Sequence, residues 1–274
     1  YDFKTLIILP CDHSFAHTLG LYAALVRGII LHFVDARGGP MAMLRHIPEN
    51  LKEANPKFLL SVPALTGNFM KKMRRGVEQQ GRFVTRIFEK GLAAGIARFG
   101  DGYRKPSVLL RLATWPAYKL AELLIFRKLR EIFGSEIEFC VGGGALLEKR
   151  QQEFFNAIGV PIYQGYGLTE AAPVISSNTP QRHKFGSSGT VAPSVSCRII
   201  REDGSDAAPG EKGEIVVSGE NVMKGYYKNE EATREALRGG WLYTGDLGYL
   251  DEDGFLVVVG RKKALRISSD GEKY

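Results

Sequence analysis

A chain of 274 residues can bury a core as one large domain or two smaller ones. With 44% hydrophobic and 24% charged residues it has ordinary globular usage, which excludes a largely disordered chain; Arg27 and His32 interrupt its longest apolar stretch, Leu19 to Val34, and no transmembrane helix is predicted. The formal charge of +7 fits an anionic partner such as nucleic acid, a membrane surface or a phosphate-rich small molecule, and Cys11, Cys140 and Cys197 form no CxxC pair, so neither a zinc site nor a disulfide framework is indicated.

The chain starts at Tyr1 with neither an initiator methionine nor a signal-like apolar region, and both ends read as cut. Its first part alternates short apolar runs with longer amphipathic ones. Leu6 to Leu9, Ile29 to Val34, Phe58 to Val62, Ile137 to Val141 and Ile162 to Tyr163 are candidate strands; Met41 to Ala54 and Leu147 to Ile158 have helical length and period. That rhythm predicts an α/β fold, a mainly parallel sheet with flanking helices and right-handed crossovers, over residues 1–180. Ligands of such sheets sit at the carboxyl ends of the strands.

Within it, residues 71–133 read as a basic helical insert. Arg82, Arg86 and Lys90 recur every four residues beside Val84, Phe88 and Leu92, and Leu120 to Phe133 sets Leu123, Leu124, Ile132 and Phe133 against Lys128 and Arg130. Two readings stand: docking to a membrane surface, or a core-packing helix with a solvated basic face. After about Asn178, Gly, Ser and Pro increase and the apolar runs shorten to Val195 to Ile200, Glu214 to Val217 and Phe255 to Val259, with turn chemistry at 202–204 and 251–254. A small antiparallel β-barrel-like subdomain over 181–260 is expected.

The richest chemistry lies in Gln164-Gly165-Tyr166-Gly167-Leu168-Thr169-Glu170. Glycines let backbone approach a ligand, Tyr166 offers a flat face for a base, Thr169 a donor for a phosphate oxygen, and Glu170 a hard oxygen for Mg²⁺. Gly142-Gly143-Gly144-Ala145 ends the preceding candidate strand and leaves a bare surface for a purine, although it lacks the spacing and the lysine of a phosphate-binding loop. Tyr243-Thr244-Gly245-Asp246 and Gly260-Arg261-Lys262-Lys263 add a carboxylate suited to a ribose diol and a guanidinium suited to ribose or phosphate. Each alone is equally a turn.

Together and in order, QGYGLTE, GEIVVSGENVMKGYYKNEEAT, WLYTGDLGYLDEDGF and GRKKALRISSDGEKY resemble the signature blocks of the acyl-adenylate-forming (AMP-dependent) synthetases, and Leu9-Pro10-Cys11-Asp12-His13 is similar to that family's LPxxH element. The length of the insert resembles the long-chain fatty acyl-CoA synthetases. The resemblance implies ATP-dependent conversion of a fatty acid to acyl-AMP with loss of pyrophosphate, then transfer to CoA, with Mg²⁺ as cofactor and cytoplasmic placement, peripheral to the inner membrane. It implies that Tyr166 stacks on adenine opposite Gly144 and Ala145, that Gly143, Gln164, Gly165 and Gly167 line the nucleotide, and that Asp246 holds the ribose. Thr169 then meets the α-phosphate, Glu170 holds Mg²⁺, Arg261 contacts ribose, His13 orients the substrate carboxylate, and Lys263 is the hinge, within 261–274, toward a C-terminal domain.

Two departures accompany the resemblance. The family's phosphate-binding loop and C-terminal domain are absent from the sequence, so the chain as it stands is expected to complete neither half-reaction, and Ala264 stands where many relatives carry Asp. Rival readings are an adenylate-former that delivers to a carrier protein and a non-catalytic nucleotide-binding protein. A nucleic-acid partner is not expected, because no zinc finger, RNA-recognition signature or basic zipper accompanies the charge.

Overall fold

The computed structural model describes residues 3–262, so the hinge position Lys263 and Ala264 lie outside the described residues. Chain contacts divide the molecule into two compact units, Tyr1–Tyr163 with Lys184–Gly186, and Gln164–His183 with Ser187–Tyr274.

The first unit is α/β. In chain order it contains β1 (Lys4–Ile7), a π-helical segment (Ala16–Tyr22) running into α1 (Ala23–Arg27), β2 (Ile30–Phe33), α2 (Pro40–Ala54), β3 (Phe58–Ser61), α3 (Pro63–Glu78), α4 (Arg82–Phe99), α5 (Val108–Ala121), α6 (Arg127–Arg130), β4 (Phe139–Gly142) and α7 (Lys149–Ala157). The strands run parallel in the order β2-β1-β3-β4. Alternation along the strands assigns side chains to two faces. Leu6, Ile8, Leu59 and Cys140 join a core with Ile47, Leu51, Phe69 and Phe154, while Phe58, Leu60 and Phe15 form a second cluster on which Phe3, Phe139 and Val141 pack. On that second face Phe3, Phe58 and Phe139 stack across the strands, with ring centroids 5.3 and 5.7 Å apart. Burial pushes the Cys140 thiol up to about 12, in keeping with its place inside the sheet.

Four α-helices, a π-helical segment and a 3₁₀ turn stand between β3 and β4, a region that contains the 71–133 stretch read from sequence as a basic insert. In α4 the expected apolar face is buried: Phe88 and Leu92 enter the core, and Arg82, Arg86 and Lys90 stay exposed. The stretch from Leu120 to Phe133 departs from the expected single amphipathic helix. After α5 the backbone widens to a π-helical segment over Glu122–Phe126, which rotates the face, so that Ile125 and Phe126 are buried while Leu123 and Leu124 point outward. Arg130, expected on a basic surface, is instead partly buried, where its guanidinium donates to Glu122 Oε2 at 2.8 Å and to the Ile158 carbonyl at 2.7 Å. The first expected strand is likewise shifted, to Lys4–Ile7, because Leu9-Pro10 turns away from the ladder.

The second unit is antiparallel. The end of β5 (Ile162–Gly167) pairs with β6 (Val174–Ser177), and β6 with β7 (Thr190–Val191). Beyond these come β8 (Val195–Ile200), β9 (Gly213–Gly219), α8 (Glu230–Ala236), β10 (Leu237–Arg238), β11 (Trp241–Leu250) and β12 (Leu256–Arg261), forming a curled sheet ordered β10-β11-β9-β8 with β12 also on β11. Val195, Ile199, Ile215, Val217, Leu242 and Leu256 are its core. The expected turns are present: Asp251 Oδ1 accepts the Asp253 and Phe255 amides, and Gly254 takes φ +78°, a conformation that a Cβ would disfavour.

Candidate functional site

The candidate residues fall in both units, and each set is built by its own unit. In the first, two loops leave the carboxyl ends of parallel strands. The loop after β1 carries His13, an exposed side chain whose Nδ1 accepts the Phe15 amide at 3.2 Å, which in the neutral ring leaves Nε2 as the N–H donor. After β4, Gly143 is buried with its amide donating to the Ser61 carbonyl at 3.2 Å. A Cβ at Gly143 would lie 2.9 Å from the Phe15 ring, so only glycine lets these two loops close on one another. Gly144 follows at φ +78° and, with Ala145, is exposed, leaving the bare patch expected from sequence. Phe15, which joins the His13 loop to the glycine turn, was missed; its place two residues after an LPxxH element is the signal that could have found it.

In the second unit Tyr166, Asp246 and Arg261 come together. Asp246 lies on β11 with its side chain almost fully buried, yet both carboxylate oxygens have donors: the Tyr166 hydroxyl reaches Oδ2 at 2.6 Å and Arg261 Nε reaches Oδ1 at 2.9 Å. The turn before it is self-built, since the Thr244 hydroxyl donates to the Ile215 carbonyl and accepts the Asp246 amide, while Gly245 donates to Glu214. Lys262 pairs with the other oxygen of Glu214 at 3.0 Å. Burial first, and the Asp246 carboxylate next, hold the Tyr166 hydroxyl far above the usual phenol range, so it acts here as a permanent donor.

Around it, Gln164 is buried, with Nε2 donating to the Gly165 carbonyl and its main-chain carbonyl accepting from the Asn178 side-chain amide. Gly167 packs so closely on the Pro173 carbonyl that no Cβ fits. Thr169 is exposed at the start of a 3₁₀ turn, Thr169–Ala171, and Glu170 is half-buried within it. The Tyr226 hydroxyl donates to Glu170 Oε1 at 2.9 Å, and the Met223 amide donates to the Glu170 carbonyl. Tyr226 is itself anchored through its amide to the Thr233 hydroxyl of α8. Sequence reasoning passed over Tyr226, which stands fifty-six positions from its carboxylate and is joined to it only by the fold.

Among the described residues no three His, Cys, Asp or Glu side chains converge as a metal cluster. A single partly open carboxylate nonetheless fits Mg²⁺, which takes one or two carboxylates from a protein and completes its shell with phosphate oxygens and water. Glu170, half-buried with one oxygen bonded to Tyr226, is a carboxylate of that kind.

Residues 1–227 match the family described as AMP-binding enzyme. The chain belongs to that family. It is 38% identical over 272 residues to the long-chain-fatty-acid–CoA ligase FadD15 of Mycobacterium bovis, an alignment covering 98% of this chain and 41% of the relative. It is 51% identical over 135 residues to the 2-succinylbenzoate–CoA ligase of Geobacillus kaustophilus, covering 48% of this chain and 27% of that one. Among solved structures, the O-succinylbenzoate coenzyme A synthetase of Bacillus subtilis in complex with ATP and magnesium ion aligns at a TM-score of 0.63 with 25% identity, over 99% of this chain and 44% of that chain. The chain thus spans less than half the length of each of these relatives.

Proposed function

We propose that the chain is the central part of a long-chain fatty-acid–CoA ligase. The observation that carries this reading is the 38% identity with a long-chain-fatty-acid–CoA ligase sustained over 272 residues, helical insert included. A carboxylate resists attack by a thiol because oxide is a poor leaving group. The reaction therefore joins the fatty acid to the α-phosphate of ATP, expelling pyrophosphate, and the CoA thiol then attacks the acyl-adenylate carbonyl, giving acyl-CoA and AMP.

In this reading His13, through Nε2–H, orients the fatty-acid carboxylate. Gly143, Gly144 and Ala145 offer backbone to one face of the adenine, and Tyr166 offers its ring, with Gln164, Gly165 and Gly167 shaping the edge. Asp246, held by Tyr166 and Arg261, accepts the ribose hydroxyls; carboxylate oxygens carry about four lone-pair sites, so two donors leave capacity for more. Arg261 faces the ribose and Thr169 the α-phosphate. Glu170 would hold Mg²⁺, which when bound supplies a Lewis acid against phosphate charge. Lys263 is the proposed hinge. We place the enzyme in the cytoplasm, in peripheral contact with the inner membrane, acting on fatty acid, ATP and CoA and not on nucleic acid.

A ligase for an aromatic acid is the second reading, favoured by the 51% identity over 135 residues with a 2-succinylbenzoate–CoA ligase. Carboxylate-dependent ATP–pyrophosphate exchange on the complete gene product, with acids from acetate to palmitate and 2-succinylbenzoate, separates the two. Exchange peaking at long chains, with CoA-dependent release of AMP, is expected. Exchange only with the aromatic acid would overturn the fatty-acid reading, and exchange without AMP release when CoA is added would indicate another acceptor, such as a carrier protein.

A further inference from the structure

The helices α4 and α5 pack as a pair, and α5 does so with its small side. Gly91 in α4 sits so close that a Cβ there would run into Ala121, and Gly95 lies against the Tyr118 ring. The face of α5 turned to the body is therefore Ala117, Tyr118 and Ala121. Val108, Leu112, Trp115 and Lys119 recur at i, i+4, i+7 and i+11 and so share the opposite face. Leu109 is 80% exposed, Leu112 65% and Trp115 51%, with Leu120 and Leu123 continuing the stripe. Amphipathic helices of a globular protein normally turn their large apolar side chains inward; this one turns them out.

The charge around that face is one-sided. No Asp or Glu occurs between Asp101 and Glu122, while Arg104, Lys105, Arg111 and Lys119 do, and Arg127 and Lys128 follow exposed at its end. Leucines and a tryptophan on one side, with cations and no anion along the same helix, match a helix that lies in the plane of an anionic lipid surface, its apolar side chains among the acyl chains and its cations reaching to the headgroups. No helix among the described residues is long and apolar enough to cross a membrane. The basic stripe Arg82, Arg86 and Lys90 is less suited, because Phe88 and Leu92 beside it are spent in the core.

We infer that the outer face of α5, Val108 to Leu120 and continued by Leu123, is the surface by which the protein docks on an anionic bilayer. This deepens the peripheral membrane association proposed above and is separable from the ligase reading, since vesicle binding needs neither nucleotide nor acid.

The test uses the complete gene product with phosphatidylcholine vesicles, with and without phosphatidylglycerol. Binding to the anionic vesicles is expected, with brominated lipid quenching a fluorescence component that disappears in W115F. L109D/L112D should lower partition about tenfold or more, and R111E/K119E should lower it at least severalfold and flatten its salt dependence. Unchanged melting temperatures would confirm that these outward positions are not structural. The proposal fails if L109D/L112D binds vesicles like the wild type. It fails equally if Trp115 is shielded from both lipid and aqueous quenchers, which would mean that the remainder of the chain covers it, or if the variant alters oligomeric state while vesicle binding is untouched, which would mean that a second copy does.

Discussion

Two carboxylates in the second unit are held in opposite ways. Asp246 on β11 is nearly buried and receives two side-chain donors, Tyr166 and Arg261, whereas Glu170 in its 3₁₀ turn is half-buried and receives one, Tyr226. A buried carboxylate must be hydrogen-bonded to stay charged, so Asp246 is part of the framework and its geometry is fixed before any ligand arrives. A half-open carboxylate with one oxygen tied keeps the other for a ligand. Substitutions at the two should therefore divide differently between stability and function.

The largest effect is expected at Asp246. Replacing it by Ala removes two hydrogen bonds to a charged group and leaves the Tyr166 hydroxyl without its acceptor, a loss of about 2–3 kcal/mol of stability, together with loss of nucleotide binding. Urea denaturation and AMP titration check this. If stability held while binding was lost, Asp246 would be a ligand group only and the contrast with Glu170 would collapse.

Tyr166→Phe is a smaller perturbation of the same framework, about 1–2 kcal/mol. It also has a signature in pH. The folded Tyr166 hydroxyl is held above the ordinary tyrosine value near 10, so above about pH 10 the unfolded chain gives up a proton that the folded one keeps. Its stabilising contribution is complete below pH 10 and lost as pH rises, by at most about 1.4 kcal/mol per pH unit. The variant's stability should fall less steeply between pH 10 and 11; equal slopes would show that the hydroxyl is not held in its buried place beside Asp246.

How far the sequence could anticipate this framework depends on the range over which each group acts. The parallel strands and the antiparallel turns are local patterns, and the structure has them. Tyr166, Asp246 and Arg261 were legible from their motifs as candidates for handling a nucleotide, but their bonding to one another was not, because the tyrosine and the carboxylate are eighty positions apart. Tyr226 was missed for the same reason, since its carboxylate partner is supplied only by the fold, whereas Phe15 lay within reach of a local motif. The outward face of α5 was passed over for a different reason. Periodicity locates an apolar stripe but cannot say which side of the helix meets the core, and there the small residues Gly91 and Ala121 decided it.

At Glu170 the expectation reverses. Glu170→Gln changes a half-buried side chain into its neutral isostere and should alter stability by less than about 0.5 kcal/mol, while removing most of the Mg²⁺-dependent activity. A melting temperature that dropped as far as that of Asp246→Ala would make Glu170 a framework group after all.

The smallest effect, and the one that probes the contrast most finely, belongs to Tyr226→Phe. The phenol is partly exposed and anchored by its own backbone, so losing its hydroxyl should cost only a few tenths of a kcal/mol. What it should change is readiness. With Oε1 held by Tyr226, the carboxylate is ordered before a cation arrives; a glutamate freed of that bond must lose rotamer freedom on binding, a cost of up to about 1 kcal/mol. The Mg²⁺ concentration for half-maximal pyrophosphate exchange should then rise about two- to fivefold with the saturated rate unchanged, since 1.4 kcal/mol corresponds to a tenfold change. An unaltered Mg²⁺ requirement would mean that the Tyr226 bond is given up when the site fills, and that Glu170 is oriented by its ligand rather than by the fold.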